Sequence, residues 1–199
     1  MKTKSKKKKE LLVPLASQTV GPYFQIGLTG PRSAPRMAGP DVKGERVKLI
    51  CTVLDGQGVT VPDAMIEIWQ ANAEGKYNHP ADTQTKPVDP AFLGFGRAGT
   101  DGNGACEFET IKPGRVPGRG KTLQAPHLEV SVFARGLLKR APTRIYFAGD
   151  PANDQDPVLA LVPKARRTTL MAEPVPGEPG TWRFDVHLHG AKETVFFDI

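Results

Sequence analysis

The chain has 199 residues, of which 39% are hydrophobic and 24% are charged, and its formal net charge at pH 7 is +6. This composition is ordinary for a globular protein and predicts one domain with a buried core. No apolar run approaches the roughly 20 residues of a membrane span, and the N-terminal apolar patch is shorter than the roughly 7–15 residues of the apolar region in a secretory signal. We therefore expect a soluble, cytoplasmic protein with no membrane partner.

The positive charge is concentrated at the N-terminus. The first ten residues hold six lysines and one glutamate, so they carry +5 of the net +6. A block of like charges repels itself and is typical of a disordered tail, and the nearly neutral remainder offers no basic face for phosphates. The sequence predicts a disordered basic tail over residues 1–13, a single domain over residues 14–199 and no nucleic-acid partner.

Short strands dominate the rest of the chain. Polar and apolar residues alternate over 46–54 and 64–71, which predicts the first two strands. Further strands are predicted at 104–111, 127–133, 143–147, 168–172, 181–188 and 194–197, the last two forming a terminal hairpin. One helical window is found at 157–161. The 21 glycines and 19 prolines separate these segments, as in an all-β sandwich with long loops at 15–45, 75–100 and 112–126.

The cysteines and the C-terminal histidines have structural interpretations. Cys51 and Cys106 each lie in an apolar strand, which favours buried free thiols over a metal site or a disulfide. His187 and His189 share one face of a predicted strand, opposite its apolar residues, so we expect them to face solvent. No third ligand accompanies them in the sequence, so a metal site there is disfavoured.

Three other residues are candidates for a metal site. Tyr77 lies in a loop after the second strand, and His127 and Glu129 are two residues apart on one face of a predicted strand. Phenolate, imidazole and carboxylate together suit a hard or borderline ion such as ferric iron. A His-x-Glu pair on a strand is also typical of a surface or hydrogen-bonded pair. The residues alone leave both interpretations open.

Several motifs together resemble the intradiol dioxygenase family. Segments 62–79, 108–114, 124–136 and 143–147 are similar to that family and occur in its order, and the resemblance covers roughly residues 14–199. The segments at 18–24 and 193–199 are similar to the alpha chains of its two-chain members. The resemblance implies an intradiol-dioxygenase-type β-sandwich and the ring cleavage of a small aromatic substrate with O2.

The resemblance also implies that the metal site is degenerate. The family's iron-bearing chains hold ferric iron with two tyrosines and a His-x-His pair. On this sequence, Tyr77 and His127 keep two of the ligand positions, whereas Val116 and Glu129 replace the other two. This implies that the chain itself holds no metal and no catalytic residue. Fe(III) is then expected on an iron-bearing beta subunit, within a hetero-oligomer of alpha–beta units.

The resemblance implies a second role, in the substrate cavity of that partner. The residues that would line this cavity are Thr19, Gly21, Pro22, Tyr23 and Arg135. A Gly-Pro turn allows close approach of backbone to a flat ligand, and a guanidinium can attract a substrate carboxylate. The bulky apolar groups of residues 17–28 also predict that this segment docks on a surface.

Two other functions remain as alternatives. The first is a self-sufficient enzyme that uses Tyr77, His127 and Glu129 with another metal ion. The second is a non-catalytic β-sandwich module that binds sugars or proteins.

Overall fold

The computed structural model describes residues 16–198, so the predicted tail at 1–13 lies outside the described residues. Within them the chain forms eight strands, one short α-helix and four 3₁₀ helices. The strands are β1 (Arg46–Leu54), β2 (Met65–Trp69), β3 (Phe95–Gly99), β4 (Ala105–Ile111), β5 (His127–Phe133), β6 (Ala141–Phe147), β7 (Met171–Pro174) and β8 (Thr181–His187). The helix α1 is Pro22–Leu28, and the 3₁₀ helices are Gly30–Arg32, Pro151–Gln155, Leu159–Leu161 and Lys164–Leu170. No helix among residues 16–198 is long and apolar enough to cross a membrane.

The strands follow the order β3-β2-β5-β6-β7-β8-β1-β4. Neighbours are antiparallel except for β6 with β7 and β1 with β8, which are parallel. The inward faces of β2, β5 and β6 share one hydrophobic core with those of β1, β4 and β8. The two halves of the strand order therefore form the two layers of a β-sandwich, as the sequence predicts.

The core follows from the alternation in the strands. In β1, Val47, Leu49, Cys51 and Val53 are buried, and the residues between them are not. Full burial of one such large aliphatic side chain stabilises a fold by about 1.5–3 kcal/mol. Cys51 lies directly opposite Cys106 on β4, and both are buried free thiols, which confirms that prediction.

A smaller apolar cluster lies on the outer side of β6. Tyr146 and Ala125 pack there against Leu159, Val162 and Leu170 from the segment between β6 and β7. The phenol of Tyr146 donates a hydrogen bond to Asp156 Oδ1 at 3.2 Å, and Asp156 also accepts one from the backbone N–H of Ala125. The cluster thereby fixes the chain just before β5, where the site begins.

Two of the predicted strands are wrong. Most of 168–172 is the end of a 3₁₀ helix, in which Thr169 Oγ1 bonds the carbonyl of Arg166, and β7 begins only at Met171. The segment 194–197 is irregular, so the predicted terminal hairpin is absent from the described residues. It crosses β6 instead, because the backbone N–H of Phe197 bonds the carbonyl of Pro142.

One strand, β3, was not predicted. Its sequence Phe-Gly-Arg-Ala-Gly has two glycines and little apolar alternation, so it was assigned to the 75–100 loop. A Cβ at Gly96 would come within 2.6 Å of Met37 Sδ, so glycine there allows the segment before β1 to pack against the strand. In the 157–161 window the helix observed is the 3₁₀ turn Leu159–Leu161.

Candidate functional site

The loop after β2 presents Tyr77, and a buried ion pair fixes its shape. Lys76 Nζ lies 3.1 Å from Asp82 Oδ1, and the two side chains are only 7% and 8% exposed. Lys76 also donates to the carbonyl of Gln84 at 2.8 Å, and Asp82 accepts the backbone N–H of Tyr77 at 2.9 Å. Burial alone would raise the pKa of Asp82. The N–H donors of Tyr77 and Gln84 and the ammonium of Lys76 outweigh it and lower the pKa to about 2.

Glycine is required where this loop meets the next one. Gly75 has φ +76°, and a Cβ there would come within 2.0 Å of the carbonyl oxygen of Arg115. The contact brings the loop of Tyr77 against the loop that carries Val116. Two of the four predicted ligand positions are therefore brought together by a backbone-to-backbone approach that no side chain could tolerate.

The aromatic ring of Tyr77 is held against Trp69. The two ring centroids are 6.0 Å apart with an interplanar angle of 13°, and His79 contacts Trp69 edge-on at 6.3 Å. Burial raises the pKa of the Tyr77 phenol well above its usual range, and the negative charge of Glu129 raises it further. At neutral pH the side chain is an uncharged phenol.

His127 begins β5 and is almost fully buried. Its Nδ1 lies 2.7 Å from the carbonyl oxygen of Ala125, which can only accept, so Nδ1 carries a proton. Its Nε2 is buried and makes no hydrogen bond to any residue among 16–198. The Oε1 atom of Glu129 lies 3.4 Å from Nε2, a contact that is electrostatic but lacks hydrogen-bond geometry.

Glu129 is paired with Arg144, its direct neighbour across β5 and β6. Arg144 Nη2 lies 2.6 Å from Glu129 Oε1, and Nη1 donates to Gln124 Oε1 at 2.7 Å. Burial alone would raise the pKa of Glu129, but His127 and Arg144 outweigh it and hold the pKa below its usual range. The carboxylate is therefore ionised and committed to an internal ion pair.

All four predicted ligand positions line one cleft of about 480 Å³: Tyr77, Val116, His127 and Glu129. The structure thus brings together residues spread over 53 positions of the sequence, from Tyr77 to Glu129 inclusive. Arg144 was missed by sequence reasoning, because its role depends on lying opposite Glu129 in a neighbouring strand. Lys76 and Asp82 were missed because the loop between them has no regular pattern.

The other predicted site residues lie elsewhere. Phe24 of α1 packs on Phe133 with ring centroids 5.2 Å apart, and Thr19 Oγ1 accepts the backbone N–H of Gly136 at 2.7 Å. The segment therefore docks, as predicted, but on its own sheet. Phe133 is at the opposite end of β5 from His127, six residues and roughly 20 Å away. This places the N-terminal segment far from the cleft of its own chain.

The docked segment leaves an exposed surface beside Arg135. Tyr23 is 82% exposed and Ile26 is 64% exposed, although both are large and apolar. The Arg135 side chain is 63% exposed and pairs with Asp63. The helix begins at Pro22 after Gly21, a position where the fixed φ of proline suits the first helical turn. The predicted residues Thr19, Gly21, Pro22 and Tyr23 are thus sequence neighbours that lie next to the Arg135 loop.

The C-terminal histidines agree only partly with prediction. His189 is exposed and lies 3.4 Å from Glu193 Oε2. His187 is half-buried, because Thr194 folds back and its Oγ1 accepts the backbone N–H of His187 at 3.0 Å.

Comparison with known proteins identifies the relationship. A protein-family model described as Dioxygenase matches residues 20–190. The chain belongs to the intradiol dioxygenase family. This intradiol dioxygenase chain is 43% identical over 196 residues to the protocatechuate 3,4-dioxygenase alpha chain of Burkholderia cepacia, a match that covers 92% of this chain and 96% of the relative. The protocatechuate 3,4-dioxygenase beta chain of the same organism is 38% identical over 158 residues, which cover 76% of this chain and 67% of the relative.

A solved structure of the intradiol dioxygenase family has the same fold. Catechol 1,2-dioxygenase from Acinetobacter, inhibited by bound mercury, is 27% identical with a TM-score of 0.57. The match covers 76% of this chain and 55% of that one. These likenesses confirm the predicted family and the predicted β-sandwich.

Intradiol dioxygenases are iron enzymes, but the residues in this cleft do not fit ferric iron. Val116 has no lone pair to donate, and Glu129 already holds the guanidinium of Arg144. The remaining positions, Tyr77 and His127, supply two donors where a first coordination shell needs at least four. Across residues 16–198, no three His, Cys, Asp or Glu side chains are grouped so that they could hold a metal ion.

Proposed function

We propose that this chain is the iron-free alpha subunit of a protocatechuate 3,4-dioxygenase and that it lines part of the active site of a beta subunit. The observation that carries this proposal is the donor set of its own cleft, in which Val116 and the Glu129–Arg144 ion pair replace metal ligands. The likeness to an alpha chain along nearly the whole length of both proteins supports it.

In the proposed complex, the partner's iron supplies the redox chemistry. Protocatechuate and O2 are converted to 3-carboxy-cis,cis-muconate when the ring opens between its two hydroxyl-bearing carbons. This chain contributes shape, water exclusion and charge at the wall of the cavity. Its own cleft takes no part in the reaction.

The N-terminal segment is the part of this chain that we assign to the partner's cavity. Large apolar side chains left exposed on a docked helix are typical of a protein interface, as at Tyr23 and Ile26. Thr19 and Gly21 precede the helix that Pro22 begins, and the Thr19 hydroxyl ties this segment to Gly136, next to Arg135. Its separation from its own cleft supports a role in another subunit's site.

Arg135 is the residue that we assign to the substrate carboxylate. Its guanidinium is exposed beside the N-terminal segment and forms a salt bridge with Asp63. A charge-assisted hydrogen bond from this guanidinium to a carboxylate would orient the anionic catechol and raise its local concentration. When the substrate binds, the Arg135 guanidinium would either leave Asp63 or contact both Asp63 and the substrate carboxylate.

The test is co-expression of this chain with a beta chain from the same genome, followed by metal analysis and visible spectroscopy. We expect iron and a ferric-tyrosinate colour in the complex and neither in this chain alone. Iron and colour in the isolated chain would support the self-sufficient enzyme instead. Failure to form any complex would support the separate binding module. We also expect the complex in the cytoplasm, which cell fractionation would test.

A further inference from the structure

The absence of two ligands does not by itself account for the chemistry of the cleft, because a largely buried positive charge also lies beside Glu129. Arg144 is 16% exposed, and three neighbours hold its guanidinium in place: Glu129, Gln124 and Tyr146. Burial would lower the pKa of Arg144, but Glu129 and Tyr146 raise it above its usual range. A guanidinium keeps its proton throughout the pH range in which proteins fold, so this cation is permanent.

The guanidinium lines a neighbouring pocket that shares Gln124 and Glu129 with this cleft, so it lies close to the place where a metal would bind. Arg144 Nη2 and His127 Nε2 both contact the same atom, Glu129 Oε1, at 2.6 Å and 3.4 Å. A metal on His127 would therefore be within several ångströms of a fixed positive charge. When Glu129 is replaced and no longer neutralises the guanidinium, two unit charges roughly 6 Å apart, at an effective dielectric constant of about 20, repel enough to weaken binding about 100-fold.

We propose that Arg144 disfavours metal binding in this cleft independently of the missing donors. In the Arg144–Glu129 pair, the guanidinium supplies the positive charge that a metal would supply, and the carboxylate balances it as a ligand would. Restoring the missing donors is then not sufficient to restore a metal site. The guanidinium must also be removed. This inference concerns the cleft of this chain alone, so it does not depend on the proposed role beside a beta subunit.

The unpartnered Nε2 of His127 supports this view. Its Nδ1 bonds the carbonyl of Ala125, so Nε2 is the ring nitrogen left facing the cleft, as in a metal-binding imidazole. Glu129 Oε1 lies closer to Arg144 Nη2, at 2.6 Å, than to His127 Nε2, at 3.4 Å. The carboxylate therefore leaves His127 Nε2 without a hydrogen bond. A ring nitrogen that could bind a metal is thus retained, while Arg144 occupies the carboxylate beside it.

The test compares two variants of the full chain that have the same restored donors. Val116→Tyr with Glu129→His supplies a second phenol and a second imidazole but keeps Arg144. The triple variant adds Arg144→Gln, a neutral side chain that can still bond Gln124. Each is purified alone, loaded with iron under air, and read by iron per chain and by visible ferric-phenolate absorption. Thermal unfolding confirms that each is folded.

We expect the triple variant to bind close to one iron per chain with visible colour, and the double variant to bind at least about 100-fold more weakly. A second triple variant with Arg144→Lys in place of Arg144→Gln keeps the charge and should behave like the double variant. Equal iron binding by the double variant and the Arg144→Gln triple variant would overturn the proposal. So would the absence of iron from all of them.

If the variants that contain Val116→Tyr do not fold, a second comparison tests the same proposal without that substitution. Glu129→His with Arg144→Gln and Glu129→His with Arg144→Lys have the same donors, Tyr77, His127 and the new imidazole. Zn²⁺ affinity, read by competition with a chromophoric chelator, should be at least about 30-fold higher in the neutral variant because like charges repel. Equal affinities would contradict the role of Arg144.

Discussion

Glu129 and Arg144 face each other across β5 and β6, and their carboxylate and guanidinium are 2.6 Å apart in a half-buried setting. The pair joins the ligand positions to the β6 side of the cleft, because Arg144 also contacts Gln124 and Tyr146. Beside the predicted ligand positions, an ion pair thus satisfies its own charges. The first two predictions concern charge pairs that stabilise the cleft.

Arg144→Met should lower the free energy of unfolding by about 3 kcal/mol, because it leaves the carboxylate of Glu129 without its partner. Urea unfolding measures the change. Glu129→Gln combined with Arg144→Met should recover most of the loss, since no charge is left alone. The exposed pair of Arg183 and Asp185 provides the control, where Arg183→Met should cost less than about 1 kcal/mol. Equal costs at the two sites would contradict the importance of the buried pair.

Asp82→Asn should destabilise the loop of Tyr77 by about 3 kcal/mol, because Lys76 is then buried without a counter-charge. The pKa of Asp82 in the folded protein, about 2, is below the value of about 3.9 for an unfolded chain. The contribution of its ionised form is therefore complete above about pH 5 and is lost as the pH falls toward 2.

Thermal unfolding between pH 2 and pH 6 would show this effect. The difference in melting temperature between wild type and Asp82→Asn should be constant above about pH 5 and shrink as the solution is acidified. Asp185→Asn, an exposed carboxylate, is the matched control. A difference that grew on acidification would contradict the assigned direction.

Tyr77→Phe should leave the kcat of the alpha–beta complex within about twofold of wild type, because the phenol is not a ligand in the proposed mechanism. The phenylalanine ring can keep the contact with Trp69. Steady-state oxygen uptake by the co-expressed complex measures this. A loss of activity with a loss of iron would favour the rival enzyme that uses Tyr77, His127 and Glu129.

Arg135→Gln should raise the KM of the complex for protocatechuate by roughly tenfold, because a charge-assisted hydrogen bond contributes about 1.5 kcal/mol or more. The KM for catechol, which has no carboxylate, should change much less. Arg140→Gln is the control, since Arg140 is exposed and its side chain donates a hydrogen bond to Ser131. Equal changes for the two substrates would remove Arg135 from carboxylate recognition.

Tyr23→Ala and Phe24→Ala should separate assembly from folding. Tyr23 is exposed and Phe24 packs on Phe133, so the first change should weaken binding of the beta subunit by about 2 kcal/mol with little effect on the stability of this chain. The second should lower stability by loosening α1 from the sheet. Calorimetric titration and urea unfolding measure the two quantities. If both variants bound the beta subunit as tightly as wild type, the segment would face solvent in the complex.

The sequence was most informative where local pattern and structure agree. The alternation in β1 and β5 placed both strands at their observed bounds, because one face of each strand is buried in the core and the other is not. It failed at β3, whose glycines are needed for packing against Met37, a partner nearly 60 residues away in sequence. It also failed at 194–197, where contacts with β6 replace a hairpin.

The sequence by itself determined the family and the sandwich, and it showed that position 116 supplies no metal ligand, because a valine cannot ligate a metal in any fold. Only the tertiary structure decided that Glu129 is held in an ion pair. Arg144 is a sequence-distant residue that becomes the neighbour of Glu129 through strand register, and Lys76 and Asp82 form a pair only because their loop closes on itself. Charge interactions depend on distance and burial, and both are properties of the folded chain.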